Sequence, residues 1–429
     1  MVVKYILTMK YCLLILYLDA LGRIIFPSKN FCLQKLDKYE IIYAYVFFRR
    51  TNMKRIAAIL LGLMVLGTFA FAAGNQGGSA GSGKTMIGIA MPETHVLRWI
   101  KDGQSLVAEA GKRDYFGAVN WANGDQPTQN QQIQSFLLQG ARVLVVGCIN
   151  DGVAPVIAEA RRDGVHVIAY DRIISNSADY DYFITFNNFK VGQLQGQAIV
   201  EGLNLNAATT ASPKRIALFA GSPTDGNAFF FFDGAMDVLN PYIDRGVLQI
   251  VGPAPRASSD SANFLRIATE GWQAPLAKTR MENLLSGDAR NVVLDAILAP
   301  NDPIARAVIE ACRADAKYRT SLPIVSGQDA EFPSMMSIKN GEQYMTVFKD
   351  TAKLAEAAII LADAILKGQT PRIPNSVIAE SIGLGAIGDT GRKRVTTYLL
   401  DPVLVTRNTN FLAPVDAGFF DAAESAQLK

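Results

Sequence analysis

Histidine is nearly missing from this chain: its 429 residues contain only His95 and His166. Two imidazoles so far apart in sequence suggest neither a histidine-based metal site nor a Ser-His-Asp triad. Cysteine is scarce as well. Cys12 and Cys32 lie near the N-terminus, Cys148 ends an apolar strand, and Cys312 falls on a helical pattern. This is no disulfide framework, and buried free thiols are expected at 148 and 312. A basic stripe is absent too. Residues 1–72 carry 10 Lys/Arg against 3 Asp/Glu, a net of +7, so the formal total of +3 leaves the remainder at −4. A mildly acidic body argues against nucleic-acid binding.

Long apolar runs are also lacking. Tyr11–Leu18 is broken by Asp19, and Ile56–Phe71 is short for the ~20 residues of a membrane span. The second run has another reading. Met53-Lys-Arg55 is a basic head, Ile56–Phe71 is uncharged, and Ala70-Phe71-Ala72 places small residues where signal peptidase reads. That is the three-part pattern of a secretory signal peptide over 53–72, with a flexible Gly/Ser-rich linker, 73–84, behind it. The residue directly after Ala72 is Ala73 and not Cys, so lipid attachment is not expected. Residues 1–52 are expected to be a non-native extension, with translation starting at Met53.

What the chain has in abundance is alternation. Apolar residues make up 49% of it, enough for large cores. Short β-branched runs occur at Thr85–Ala90, Val143–Val146, Val165–Tyr170 and Tyr182–Phe186. Helical periodicity fills Arg98–Lys112, Gln129–Gln139 and Gly152–Arg162 between them. A second series begins at Arg215–Ala220 and runs through Phe229–Leu239, Leu248–Gly252, Leu276–Leu285, Val292–Leu298, Pro303–Cys312 and Leu322–Ser326. Continuous apolar strands alternating with helices mean parallel sheets covered on both faces. The expected fold is α/β, with two doubly wound lobes. A long Ala-rich helix, Thr351–Lys367, and an irregular tail follow.

One motif misleads. Gly78-Ser-Ala-Gly-Ser-Gly83-Lys84-Thr85 spells a phosphate-binding loop. Such a loop must follow a strand and open a helix, whereas here a leader precedes and a strand follows. Gly221–Gly226 is better placed but lacks the Lys, so it is read as a turn.

The informative pattern lies at strand ends, where ligands of open parallel sheets bind. Strand 165–170 stops on Asp171-Arg172. Others lead to Arg98-Trp99, Asn187-Asn188, Asn227, Asn301-Asp302, Asp329 and Lys349. Asn188 and Asp302 are expected to cap the helices that follow. Carboxylates, amides and guanidinium groups pair with hydroxyls, and Trp covers the C–H face of a sugar ring. The mixture suits a monosaccharide.

These residues carry a resemblance. Ala90-Met-Pro with Arg98-Trp99-Ile100, Ala169-Tyr-Asp-Arg-Ile173, Phe186-Asn-Asn-Phe189, Asn227-Ala-Phe-Phe-Phe231 and Ser326-Gly-Gln-Asp-Ala-Glu331 resemble the periplasmic sugar-binding proteins of ABC importers. The likeness is greatest to the xylose-binding and multiple-monosaccharide-binding branch, and it runs from about Thr85 to the C-terminus. It implies the type I fold, with two lobes joined by three crossovers. The N-terminal lobe would hold 85–188 and 349–370, and the C-terminal lobe 189–348 and 371–429. It implies that Arg98, Asp171 and Arg172 bind sugar hydroxyls from the first lobe, with Trp99 beside them. Asn187, where the family usually has Asp, belongs to the same set. Asn227, Asn301 and Asp329 would bind from the second lobe, Trp272 would stack on the ring, and Lys349 would contribute at a crossover. Asn301 resembles the xylose-type pattern.

The resemblance further implies a periplasmic monomer that closes on its ligand by a hinge and hands it to an ABC permease in the inner membrane. Presentation to a chemoreceptor or sensor kinase is compatible with that role. No cofactor, metal or catalytic residue is expected. A Rossmann enzyme would need glycines after strand 85–90, where Ala90-Met-Pro-Glu-Thr-His stands instead. A repressor sharing this fold would need a helix-turn-helix where the leader lies.

Overall fold

The structure is a computed structural model and describes residues 83–429. The expected extension 1–52, the leader 53–72 and nearly all of the linker lie outside the described residues. Thr85 leads straight into a strand, so no helix opens behind the loop-like string.

The strands are β1 (Met86–Met91), β2 (Phe116–Trp121), β3 (Val143–Val146), β4 (His166–Tyr170), β5 (Tyr182–Phe186), β6 (Lys214–Leu218), β7 (Leu248–Ile250), β8 (Ala296–Leu298), β9 (Ile324–Val325), β10 (Met345–Phe348), β11 (Ser376–Ile378), β12 (Thr397–Leu400) and β13 (Val403–Thr406). One sheet has the order β11-β12-β5-β4-β3-β1-β2, and a second has the order β7-β6-β8-β9. All neighbours are parallel except β11 against β12. In the first sheet, Ile87, Ile89, Val143, Val145 and Ile168 enter the core on one face. Ala90, Leu144, Val146 and Val167 enter the core on the other. A period of two with both faces covered is why these strands read as unbroken apolar runs. β2 is half-buried along its whole length at the sheet edge, and Gly117 and Asn120 interrupt its apolar character. Periodicity therefore misses it.

Side chains at strand ends start the helices. Asp125, Asn187, Asp225, Asn301 and Asp350 each accept from a backbone N–H in the first turn that follows. Helices Asn188–Gly202 and Gly226–Asp244 cross closely. Gly192 lies against the Phe231 carbonyl and Gly234 against that of Phe189, where a Cβ on either glycine would strike backbone. Cys148 and Cys312 are buried free thiols.

The chain passes between the lobes three times: after β5, after β10 and after β12, with β10 and β13 forming a separate two-stranded sheet. Helix Thr351–Leu366 packs on helix Arg98–Lys112 and on β4 and β5. The tail corrects one expectation, since it does not lie whole with the second lobe. β12 pairs onto β5 and β11 onto β12, which completes the first sheet. Only from β13 onward does the chain return, pairing antiparallel with β10. Short runs on an irregular background carry no signal of which sheet edge they join; open backbone donors and acceptors at the β5 and β10 edges decide it.

Candidate functional site

The strand ends of both lobes converge on one cleft. Its lining includes Arg98, Trp99, Asp171, Arg172, Asn227, Trp272, Asn301, Asp329 and Lys349. Its free cavity volume is only about 30 Å³, so the lining side chains nearly fill the cleft in this arrangement.

Arg98 opens helix Arg98–Lys112, where a cation opposes the helix dipole. Carboxylates hold it there. Its Nε donates to Asp102 Oδ2 at 3.0 Å, and its Nη1 lies 2.8 Å from Asp171 Oδ1 and 3.9 Å from Asp329 Oδ1. Burial alone would lower the Arg98 pKa, but Asp102, Asp171 and Asp329 outweigh it and raise it well above the usual value. Asp102 in turn accepts from the Tyr170 hydroxyl. Trp99 is flanked by guanidinium groups, with Arg98 Cζ 4.9 Å and Arg172 Cζ 5.0 Å from the ring centroid, a cation–π geometry.

Asp171 sits just past β4 with φ 62°. Its N–H donates to the Ile184 carbonyl, and its own carbonyl accepts from Thr185 Oγ1 and Asn227 Nδ2. With the backbone locked, the carboxylate faces the cations. Burial would raise its pKa, but Arg98, Lys349 and Arg172 prevail and lower it, keeping it ionised.

From the second lobe, Asp225 Oδ2 lies 2.9 Å from Arg172 Nε and accepts from Trp272 Nε1 at 3.2 Å. Asp329 Oδ1 lies 3.0 Å from Lys349 Nζ. Trp272 and Asp329 have φ of 59° and 94°. Of Asp171, Trp272 and Asp329, the two Asp tolerate the left-handed region, whereas for Trp272 it stores about 1–3 kcal/mol of backbone strain at the cleft. Gly221 makes room for the indole, because a Cβ there would fall inside the Trp272 ring. Gly221→Ala is therefore expected to weaken ligand binding several-fold while the chain stays folded; titration calorimetry with circular dichroism checks it, and unchanged affinity counts against Trp272 as platform.

Of the residues expected at the site, only Asn187 is not brought there. Its Oδ1 accepts from Lys190 N at 3.0 Å, capping the helix. Its neighbour Asn188, expected to cap, is buried instead and donates to Asn227 Oδ1 at 2.7 Å. The same reversal occurs at the other pair. Asn301 caps through Oδ1 while lining the cleft, and Asp302 is buried behind it.

The family model described as a periplasmic binding protein domain matches residues 87–370. The chain belongs to that family. It is similar to the multiple sugar-binding periplasmic receptor ChvE of Rhizobium radiobacter, with 39% identity over 344 residues, 79% of this chain and 92% of the relative. The multiple sugar-binding periplasmic protein SbpA of Azospirillum brasilense is 38% identical over 373 residues, 86% of this chain and 97% of the relative. An ABC transporter solute-binding protein from Clostridium phytofermentans, solved with bound β-D-glucose, is 35% identical with a TM-score of 0.70, covering 80% of this chain and 100% of the other. The fold is the type I fold of periplasmic binding proteins.

The cleft of this periplasmic binding protein also contains Val96, Asp225, Phe231 and Gln328, which sequence reasoning did not single out. Asp225 lies inside the Gly221–Gly226 turn, whose sequence alone carries no ligand signal. Gln328 stood beside Asp329 at a strand end. Phe231 belonged to an apolar helix face, indistinguishable from core.

Proposed function

We propose that this protein, exported through the leader at 53–72, captures one neutral monosaccharide in the periplasm and delivers it to an ABC importer of the inner membrane. The carrying observation is a set of buried polar atoms in the cleft. Arg98 Nη2 and Gln328 Oε1 make no hydrogen bond within the described protein. Arg172 Nε and Asp329 Oδ1 form ion pairs but no aligned hydrogen bond. Buried polar groups normally find partners. Two donors and two acceptors in one small space suit a ring of hydroxyls, each of which both donates and accepts.

Charge selects further. Arg98, Arg172 and Lys349 face Asp171, Asp225 and Asp329 across the lining. Asp102 on Arg98 and Glu93 on Arg172 add two more buried carboxylates behind the lining, so the site has no surplus cation for an acidic sugar. Each hydrogen bond to a charged group contributes roughly 1.5–3 kcal/mol. A few of these plus stacking reach micromolar affinity, about −8 kcal/mol, after ordering costs. Groups from both lobes touching one ligand favour the closed arrangement over an open one, which is what drives hinge closure. Relatives named for sugar binding support this reading. The pairing of Asp171, Asp225 and Asp329 with cations supports capture over catalysis.

A thermal-shift panel of xylose, arabinose, glucose, galactose, fructose and ribose, with glucuronate and glucosamine added, tests it. Ligand binding raises stability by mass action. A neutral aldose should raise Tm most, and glucuronate at equal concentration clearly less. A larger shift with glucuronate would overturn the charge argument, and no shift with any sugar would overturn the assignment.

A further inference from the structure

Beside the cleft, a ring of contacts passes twice between the lobes. Glu93, in the loop after β1, is only 4% exposed. Its Oε1 accepts from Arg172 Nη2 at 2.9 Å, and its Oε2 lies 3.2 Å from His95 Nε2. Arg172 pairs with Asp225 of the second lobe, and Asp225 accepts from Trp272 Nε1. Gly271, covalently next to Trp272, presents its carbonyl oxygen 3.2 Å from His95 Nε2. The ring closes there.

The turn it encloses needs support. Gly271 and Trp272 have φ of 57° and 59°. For a bulky residue such as Trp a left-handed backbone is a genuine outlier, and it persists only where the surroundings over-determine it. Within the second lobe, the Asp225 carboxylate holds the indole N–H. His95 reaches the same turn from the first lobe. Its Nε2 lies 3.2 Å from both the Gly271 carbonyl oxygen and Glu93 Oε2, so one Nε2–H is shared between two acceptors and the ring is held between the buried carboxylate and the turn.

We infer that His95, oriented by Glu93, is a positioning residue that clamps the Gly271–Trp272 turn from the opposite lobe, setting the aromatic platform and the closed arrangement together. This inference rests on the sugar-capture reading for its ligand but not for its geometry. His95 contacts the turn rather than the cleft, so it favours the closed arrangement with or without sugar and lengthens the time the lobes stay together once a sugar is bound. Dissociation rate should respond more than association rate.

The test uses the mature chain with His95→Ala, His95→Gln and Glu93→Gln. Stopped-flow and calorimetric measurements use whichever sugar of the panel stabilises the wild type most. Small-angle scattering is recorded in buffer alone. His95→Ala should weaken binding three- to tenfold, chiefly through faster dissociation, and should enlarge the radius of gyration without sugar. His95→Gln should restore both to within about twofold, because its amide N–H reaches the same carbonyl. Glu93→Gln should fall between them. Equal loss in the Ala and Gln variants, or an unchanged dissociation rate and radius in His95→Ala, overturns the proposal. If no sugar binds the wild type, the functional reading fails, while scattering in buffer still decides whether His95 holds the lobes together.

Discussion

Asp329→Ala is expected to weaken sugar binding ten- to hundredfold. The carboxylate is buried, 3.0 Å from Lys349 Nζ and 3.9 Å from Arg98 Nη1. Removing it deletes an acceptor for ligand hydroxyls and also strips Lys349 of its anion. The first loss is worth about 1.5–3 kcal/mol in binding, a decade per 1.4 kcal/mol. The second acts on folding. Breaking a buried pair from one side costs roughly 3–5 kcal/mol, because the other charge is left uncompensated. The two effects separate experimentally. Adding Lys349→Met to Asp329→Ala should recover much of the stability and none of the affinity, a coupling that a double-mutant cycle reads directly. Asp329→Asn controls for the backbone, since Asn tolerates the positive φ at this position better than Ala does. Native-like affinity in a folded Asp329→Ala protein would remove Asp329 from the site.

The sequence showed where such residues had to be, and less about which of two neighbours would do what. Parallel strands announce themselves because burial on both faces leaves unbroken apolar runs, and the end of a run marks the ligand side. Hence Asp171, Arg172, Asp329 and Lys349 were legible. At Asn187-Asn188 and Asn301-Asp302 two polar residues follow one strand. The cap goes to whichever residue has left the strand but not yet entered the helix. A shift of one residue exchanges capping for burial, and composition says nothing about that shift. Both pairs fell the same way: the first residue caps and the second is buried. Contacts between lobes were illegible for a different reason. His95 meets Gly271 across 176 positions, and nothing in the local pattern at either end points to the other.

The reversal at Asn301-Asp302 has a consequence for pH. Asp302 is fully buried, with Oδ2 accepting from Glu331 N and Oδ1 from Gln343 Nε2, both at 2.9 Å. Its own N–H donates to the Gln328 carbonyl, so it braces the 328–331 loop that carries two cleft residues. Burial pushes its pKa up to about 8; Arg306 opposes, and Glu331 and Asp329 add to the rise. In the unfolded chain the group titrates near 3.9. Between these values the folded state keeps a proton that the unfolded state has lost. Folding stability contributed by this group is therefore fully present below about pH 4 and is lost progressively as pH rises toward about 8. One retained proton corresponds to roughly 1.4 kcal/mol per pH unit. Burial also raises Asp102, Asp225 and Glu331, so the wild-type slope has several sources. Asp302→Asn removes one of them. Between pH 5 and 7 the stability difference, variant minus wild type, should grow by about 1.4 kcal/mol per unit and flatten above about pH 8. Urea unfolding at four or five pH values measures it. The slope is the informative quantity, because the new amide must find its own partners and can shift absolute stability either way. A difference that stays constant across that range means Asp302 is ionised in the folded protein, and the loop beneath the cleft is then braced by a buried charge rather than by a neutral acid.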